Sequence, residues 1–233
     1  MRIIGAVVLC RYNSNRLPGK ILKTINSKPI LGYIIEKLLT VFERSNIVVA
    51  TSIENTDEPI VQYCENNSIQ YYRGSLKNVS QRFMKASLEY GFDYSVRING
   101  DNLFIDLEIM HKMLHLIKEN NYDFISNVKG RTFPKGMSIE IVSMDSYQNC
   151  IESFTTEAHY EHVTKYLYEN EENLKTFYFY NERFPEAGGE QLAIDTEKDY
   201  EVAKQILERF SGNHIELGLE QVFKLKKELN EQS

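Results

Sequence analysis

Three cationic side chains stand close together in the stretch CRYNSNRLPGK, residues 10–20. Arg11, Arg16 and Lys20 follow directly on the apolar run IIGAVVL, which has the composition of a buried strand. Backbone N–H groups in a turn after a strand can bind an anion, and arginine and lysine add positive charge to such a loop. The stretch therefore has the chemistry of a phosphate-binding loop. The alternative that stays open is a surface loop with solvated cations.

Two common nucleotide-binding motifs do not fit this stretch. The P-loop pattern GxxxxGK[ST] requires glycine at position 14 and serine or threonine at position 21, where the chain has Ser14 and Ile21. The pattern GxGxxG does not fit the stretch either. The sequence therefore supports neither a P-loop ATPase nor a Rossmann dehydrogenase.

Two aspartates are the candidates for a metal site. Asp101 in RINGDN follows a predicted strand and a glycine, and Asp195 in LAID ends another predicted strand. Carboxylates beside a basic loop would hold Mg²⁺ together with a substrate, because Mg²⁺ takes one or two carboxylates plus phosphate oxygens. Each residue has a structural alternative. Asp101 is open to a role as a turn residue, and Asp195 to one as the N-cap of the following helix.

The composition of the chain limits its class. It has 233 residues, of which 42% are hydrophobic and 26% charged, as in a globular protein with a sizeable core. The net charge of −6 argues against general nucleic-acid binding. The three cysteines lie far apart without a CxxC motif, which indicates a reducing compartment. The apolar run near residue 1 is too short to span a membrane, so we expect a cytoplasmic protein that binds neither nucleic acid nor membrane.

The segments that must position these side chains alternate between strand and helix up to about residue 120. Continuous apolar runs such as NIVVATS indicate buried strands, and PILGYIIEKLLTVF has apolar residues at helical spacing. This order predicts an α/β fold with a mostly parallel sheet flanked by helices on both faces. Ligands of such sheets bind at the carboxyl ends of the strands, where residues 10–20 and Asp101 fall.

After residue 123 the pattern becomes richer in strands. We interpret residues 1–233 as one domain with a strand-rich excursion over residues 124–192. Within it, LKTFYFYNE alternates like an edge strand, and its aromatic residues predict a homodimer. AHYEHVTKYLYEN predicts one helical segment, and QLAIDTEKDYEVAKQILERF predicts a strand followed by a helix. Asp57 and Asp106 are the expected N-caps of two earlier helices.

Motifs along most of the chain carry a resemblance to a known family. RYNSNRLPGKIL is similar to the R-x-x-S-x-R-[LI]-P-x-K loop of the cytidylyltransferases that activate acidic sugars. VVATS, YYRGS, RINGDN, FPKGMSIEIVS, EHVTKYLYEN and AIDTEKDYE follow in the order expected for the spore coat polysaccharide (SpsF-like) branch. The resemblance covers residues 1 to about 208 and implies a nucleotidyltransferase fold, a Rossmann-like three-layer sandwich.

The resemblance implies a reaction and a cofactor. Such enzymes transfer CMP from CTP to an acidic sugar and release pyrophosphate with Mg²⁺, in the synthesis of surface polysaccharides. By this likeness Arg16, Lys20 and Asp101 are catalytic, and Asp101 and Asp195 hold Mg²⁺.

The same likeness implies the binding residues. Arg97, Glu140 and His162 would contact the acceptor, partly within the excursion at 124–192. The nucleotide contacts it implies are Leu9, Arg11, Asn13, Ser14, Arg16, Lys20, Arg73, Gly74, Ser75, Gln81, Asn99 and Asp101. The chain departs from the branch at Ser138, where an aspartate is usual.

Two alternatives from other classes stay open at this point. A Mg²⁺-dependent glycosyltransferase also binds a nucleotide on a parallel sheet, but its usual DxD motif does not occur in this chain, where GDN stands instead. A non-catalytic nucleotide-binding protein would not require two aspartates at strand ends together with the loop cations.

Overall fold

The computed structural model describes residues 2–231, and a seven-stranded sheet forms its centre. The strands are β1 (Ile4–Leu9), β2 (Thr24–Ile25), β3 (Lys28–Pro29), β4 (Ile47–Ser52), β5 (Gln70–Gly74), β6 (Tyr94–Asn99), β7 (Phe124–Ser126), β8 (Glu140–Ser143) and β9 (Thr176–Tyr178). The α-helices are α1 (Ile30–Leu39), α2 (Glu58–Asn66), α3 (Val79–Glu89), α4 (Leu107–Glu119), α5 (Met144–Ile151), α6 (Glu157–Glu161), α7 (Lys165–Glu169), α8 (Glu197–Arg209) and α9 (Leu219–Glu231).

Most neighbouring strands of the sheet run parallel. The strand order is β5-β4-β1-β6-β8-β7-β9, while β2 and β3 form a separate antiparallel pair. β1 pairs in parallel with β4 and β6, β4 with β5, and β7 with β9, whereas β8 is antiparallel to β6 and β7. β1 and β4 are buried along their whole length, as expected for apolar strands inside a parallel sheet. The prediction of a mostly parallel α/β sheet is therefore confirmed.

Two hydrophobic layers cover the two faces of the sheet. Ala6 and Val8 of β1 join the core under α1, α2, α4 and α8, whereas Val7 and Leu9 join the core under α3 and α5. This division follows from the two-residue period of a strand. The result is a three-layer sandwich in which the parallel strands present their carboxyl ends at one edge. The loop of residues 10–20 begins at that edge.

The segment before α8 corrects one prediction. QLAID was expected to be a strand, but it contributes one isolated bridge, and residues 192–195 are irregular. Leu192 and Ile194 are buried nonetheless, which explains why the pattern resembles that of a strand. Thr196, rather than Asp195, caps α8 through a capping box.

Other boundaries differ in detail from the sequence predictions. AHYEHVTKYLYEN forms two short helices, α6 and α7, because the backbone of His162 is extended between them. β9 lies at the edge of the sheet, as predicted. Asp106 caps α4 by accepting the Ile109 N–H at 3.0 Å, as predicted, whereas the Asp57 side chain makes no capping bond to α2. Within residues 2–231, no helix combines the length and hydropathy needed to cross a membrane.

Candidate active site

A cleft of about 980 Å³ opens where β1 and β6 end. Ten of the residues predicted for the site line it: Leu9, Arg11, Ser14, Arg16, Lys20, Arg97, Asn99, Asp101, His162 and Asp195. The structure thus brings together residues that are as much as 186 positions apart, since Leu9 and Asp195 face the same space. The carboxyl edge of the sheet is the candidate active site, in agreement with the rule for parallel sheets.

The loop after β1 is held in place by a buried carboxylate. Asp57 accepts hydrogen bonds from the Tyr12 N–H at 2.7 Å, the Thr51 hydroxyl at 2.8 Å and the Ser52 N–H at 2.9 Å. Burial favours a higher pKa for Asp57, but its hydrogen bonds to Ser52, Tyr12 and Thr51 together hold the pKa below its ordinary value. Asp57 is therefore an anionic anchor for the start of the loop, a role that its position before α2 does not reveal.

Two backbone features give the loop its shape. The Tyr12 carbonyl accepts the N–H groups of Ser14 at 2.9 Å and Gly19 at 2.8 Å, which closes the loop on itself. Gly19 adopts φ 71°, a conformation that glycine takes without strain. Gly100 is required for a different reason, because a Cβ there would lie 2.7 Å from the Cβ of Cys10. These glycines allow β6 and the loop to meet closely at the floor of the cleft.

Lys20 lies between the two predicted metal ligands. Its Nζ donates to Asp101 Oδ2 at 3.1 Å, to Asp195 Oδ1 at 3.3 Å and to the Ile194 carbonyl at 2.6 Å. Arg16 also contacts Asp195 Oδ1, at 2.9 Å, from a largely exposed position. A backbone hydrogen bond of 3.3 Å from the Ile194 N–H to the Asp101 carbonyl holds the two aspartates side by side. Asp195 therefore reaches the site although it does not end a strand.

The two carboxylates fit a divalent cation. Asp101 and Asp195 approach one ammonium group, so a cation placed between them would be within reach of both. Residues 2–231 contain no cluster of three or more His, Cys, Asp and Glu side chains that could hold a metal ion. Two carboxylates suit Mg²⁺, which completes its coordination with phosphate oxygens and water.

The cleft has an excess of positive charge. Six cationic side chains and four carboxylates line it, a difference of two positive charges. Arg11 and Lys77 are both exposed and have no ionic partner among the residues described. Arg82 is buried, which lowers the pKa of its guanidinium, and its Nε has no hydrogen-bond partner in the structure. Arg11 and Lys77 are therefore available to an anionic ligand, whereas Arg82 already donates its Nη1 to the Ser75 carbonyl at 2.8 Å.

One lining residue is excluded as a nucleophile. Burial raises the pKa of the Cys10 thiol far above its ordinary value. This shift favours the protonated thiol, which is a poor nucleophile.

A second cavity of about 460 Å³ adjoins the cleft and shares Arg97, Asn99 and His162 with it. Glu140 lines this second cavity but is 1% exposed, and both of its oxygens are engaged. Oε1 accepts the Tyr168 hydroxyl at 2.7 Å, and Oε2 contacts the guanidinium of Arg97. Arg97 in turn donates to Asn99 Oδ1 at 2.8 Å. Glu140 therefore positions Arg97 at the boundary between the cavities.

The charges of the second cavity leave one cation unpaired. Arg97 is neutralised by Glu140, and Lys165 contacts Glu169. Arg131 is exposed, and within residues 2–231 its guanidinium has no ionic partner. Its backbone is left-handed, with φ 52°, which is uncommon outside glycine.

Six predicted residues fall outside the lining of the cleft: Asn13, Arg73, Gly74, Ser75, Gln81 and Glu140. The Arg73 guanidinium instead contacts Glu58 at 2.9 Å and the carbonyls of Ser52 and Glu54, so it braces the loop after β4. Arg73, which the resemblance implies as a nucleotide contact, therefore does not line the cleft. Residues 76–79, which follow β5, line the cleft instead. The Gln81 N–H donates to Asn78 Oδ1, the side chain that caps α3.

Sequence reasoning missed Lys77 and Arg131. Lys77 follows β5 as Arg11 follows β1, so its position after a strand was the available signal. Arg131 lies in the turn KGR, and nothing in its local sequence indicates that it lines a cavity.

Comparisons of sequence and structure find relatives over nearly the whole chain. The family profile described as cytidylyltransferase matches residues 5–229. The spore coat polysaccharide biosynthesis protein SpsF of Bacillus subtilis is 31% identical over 218 residues, which cover 90% of this chain and 88% of that protein. A cytidylyltransferase from Leptospira borgpetersenii superposes with a TM-score of 0.91 at 31% identity, over 99% of this chain and 96% of the other.

A more distant solved structure shares the fold. CMP:2-keto-3-deoxy-manno-octonic acid synthetase complexed with CTP has a TM-score of 0.68 at 17% identity, over 89% of this chain and 99% of the other.

Proposed function

We propose, because this chain belongs to the cytidylyltransferase family, that it transfers CMP from CTP to an acidic sugar or related acidic acceptor and releases pyrophosphate. The product would serve the synthesis of a surface polysaccharide, as the name of the Bacillus subtilis relative suggests. The observation that carries the proposal is a pair of adjoining cavities at the carboxyl edge of the sheet. The larger has excess positive charge, and the smaller contains the unpaired Arg131.

The larger cavity supplies what a nucleoside triphosphate requires. A triphosphate carries about four negative charges at neutral pH. Arg11 and Lys77 offer cationic groups that have no ionic partner within residues 2–231, and Arg16 and Lys20 stand beside the two aspartates. Because arginine and lysine bind phosphate through charge-assisted hydrogen bonds, these four side chains suit the phosphate chain.

The reaction depends mainly on positioning and electrostatics. An acceptor oxygen attacks the α-phosphorus of CTP, the bond from that phosphorus to the bridging oxygen breaks, and pyrophosphate leaves while the acceptor proton passes to water. Arg16 and Lys20 would balance the charge that develops on the leaving pyrophosphate. Mg²⁺, held by Asp101 and Asp195 when bound, would neutralise phosphate charge.

The smaller cavity is the proposed acceptor site. It meets the larger one at Asn99 and His162, so an acceptor in it would lie next to the nucleotide. Arg131 would bind an anionic group of the acceptor, because the other cations of this cavity already have carboxylate partners. Glu140 would act through Arg97 rather than by touching the acceptor.

The test of the proposed function is pyrophosphate release. The protein is incubated with Mg²⁺, each of the four nucleoside triphosphates, and a panel of acceptors that includes 3-deoxy-manno-octulosonate, other acidic sugars, and neutral sugars. We expect release with CTP and an acidic sugar, and formation of the CMP-sugar by mass spectrometry. Turnover with ATP or GTP in preference to CTP, or only with neutral sugars, contradicts the proposal.

A homodimer and a cytoplasmic location stay predictions. Phe177 and Phe179 of the β9 region pack against the core of this chain, and Tyr180 remains 48% exposed at the sheet edge. Light scattering at micromolar concentration tests the dimer, and a monomer would contradict it.

A further inference from the structure

Lys20 occupies the place between two carboxylates that the proposed function gives to a divalent cation. Its ammonium makes three hydrogen bonds, to Asp101, to Asp195 and to the carbonyl of Ile194. Its side chain is 14% exposed, so most of it is removed from water. With three donors on an ammonium group and three acceptors around it, Lys20 is fully satisfied in this position.

The local charges are balanced without any metal. Lys20 and Arg16 carry two positive charges, and Asp101 and Asp195 carry two negative ones. A divalent cation entering alone would have to displace an ammonium that has no other carboxylate within contact distance among the described residues. The displaced charge and the metal would then repel each other at close range.

A nucleoside triphosphate changes this balance. It brings about four negative charges, which would give Lys20 and Arg16 new partners while the metal takes over the two carboxylates. Once Arg97 is set against Glu140, the cleft lining keeps one excess positive charge, so a metal together with a triphosphate brings the total to about −1, whereas a metal alone raises the positive charge further.

The movement needed is confined to a side chain. The backbone around Lys20 is fixed by the hydrogen bonds from Gly19 N–H to the Tyr12 carbonyl at 2.8 Å and from Lys20 N–H to the Leu17 carbonyl at 3.2 Å. A lysine has a flexible four-carbon stem and rotatable donors, so its ammonium can turn from the carboxylates toward a phosphate while the loop keeps its shape.

We propose that Lys20 excludes divalent metal from the nucleotide-free enzyme and releases Asp101 and Asp195 when the triphosphate arrives. The metal then enters with the nucleotide or after it, and a free metal ion does not load the site beforehand. This inference rests on the proposed function, since it takes the two aspartates as the metal ligands.

The experiment is a titration of the nucleotide-free protein with Mn²⁺. Binding is measured as the loss of the electron paramagnetic resonance signal of the free ion. Lys20→Met and Lys20→Gln remove the ammonium, and circular dichroism checks that each variant is folded. Lys23→Met is the matched control, because Lys23 belongs to the same turn and pairs with Glu197 instead. The double variant Lys20→Met/Asp101→Asn tests whether any gain in Mn²⁺ affinity comes from binding at Asp101 and Asp195.

We expect wild type and Lys23→Met to bind Mn²⁺ weakly, and both Lys20 variants to bind it at least about tenfold more tightly, which corresponds to the removal of one charge-assisted competitor. The double variant should lose the gain. Equal affinity in wild type and Lys20→Met overturns the inference, as does a gain that persists in the double variant. Because the titration contains neither nucleotide nor acceptor, failure of CMP transfer and failure of this inference are separate results.

Discussion

Replacing Asp57 by asparagine tests whether this buried carboxylate holds the loop of residues 10–20 in place. The carboxylate accepts three hydrogen bonds of 2.7–2.9 Å and is 1% exposed. An amide can keep its oxygen toward Thr51 and Ser52, but its NH₂ group then faces the N–H of Tyr12, and the charge on all three bonds is lost. Hydrogen bonds to charged groups are worth about 1.5–3 kcal/mol, so we expect a loss of about 3 kcal/mol in the free energy of unfolding.

The assay combines thermal unfolding with nucleotide binding. For a domain of this length, a loss of about 3 kcal/mol lowers the Tm by roughly 6–12 °C. Because the Tyr12 N–H loses its partner, the loop should also loosen, and the affinity for CTP should fall in calorimetric titration. Asp145→Asn is the control, since Asp145 is exposed in the first turn of α5.

The contribution of Asp57 to the free energy of unfolding should also depend on pH. The pKa of Asp57 is held below its ordinary value of 3.8, so the folded state binds this proton less readily than the unfolded state does. Its stabilisation is therefore fully present above that ordinary value and is lost as the pH falls through the lower, folded-state pKa. If Asp57→Asn matches Asp145→Asn in both Tm and CTP affinity at neutral pH, the anchoring argument is refuted.

Three further outcomes are expected. Asp101→Asn should lower kcat for CMP transfer by about tenfold or more, because the loss of one charge-assisted contact is worth about that factor in rate. It should also weaken the dependence of kcat on Mg²⁺. The Tm should change little because the side chain is partly exposed. Burial lowers the pKa of Lys37 to about 8, so the folded state loses this proton at a lower pH than the unfolded state does. The free energy of unfolding should therefore rise between pH 8 and about 10, by about 3 kcal/mol when the rise is complete. Urea unfolding of Lys37→Met should not show this rise. Arg131→Gln should raise the KM for the acidic acceptor about tenfold and leave the KM for CTP unchanged, whereas Arg209→Gln, an exposed arginine at the end of α8, should change neither.

The sequence predicts best where local pattern and fold coincide. The apolar runs that form β1 and β4 are buried on both faces, so their composition alone identifies them as inner strands of a parallel sheet. Asp101 is the second residue after β6, and Lys20 lies in the loop after β1, so the topology brings both residues to the same edge. That part of the site follows from element order.

Asp195 shows where local pattern fails. Leu192, Ala193 and Ile194 form a short apolar run as they would in a strand, but they are buried because an irregular segment packs into the core. The segment is held by a backbone bond from the Ile194 N–H to the Asp101 carbonyl. This contact joins residues 93 positions apart, so Asp195 comes to lie beside Asp101 for a reason that no local pattern contains.

The fold also determines which cations of the site are paired with other residues of the chain. Arg73 and Arg11 both belong to the carboxyl edge in the sequence pattern, yet Arg73 is satisfied by Glu58 and two carbonyls, whereas Arg11 has no ionic partner among the described residues. Lys77 and Arg131 are equally unpaired within residues 2–231, although the sequence singled out neither. A basic residue binds a substrate most directly where the folded chain leaves its charge unsatisfied, and that depends on carboxylates and carbonyls distant in sequence. Residue type and position after a strand therefore identify where a ligand binds, while tertiary pairing decides which of the cations there are free to bind it and which, like Lys20, must first leave a carboxylate.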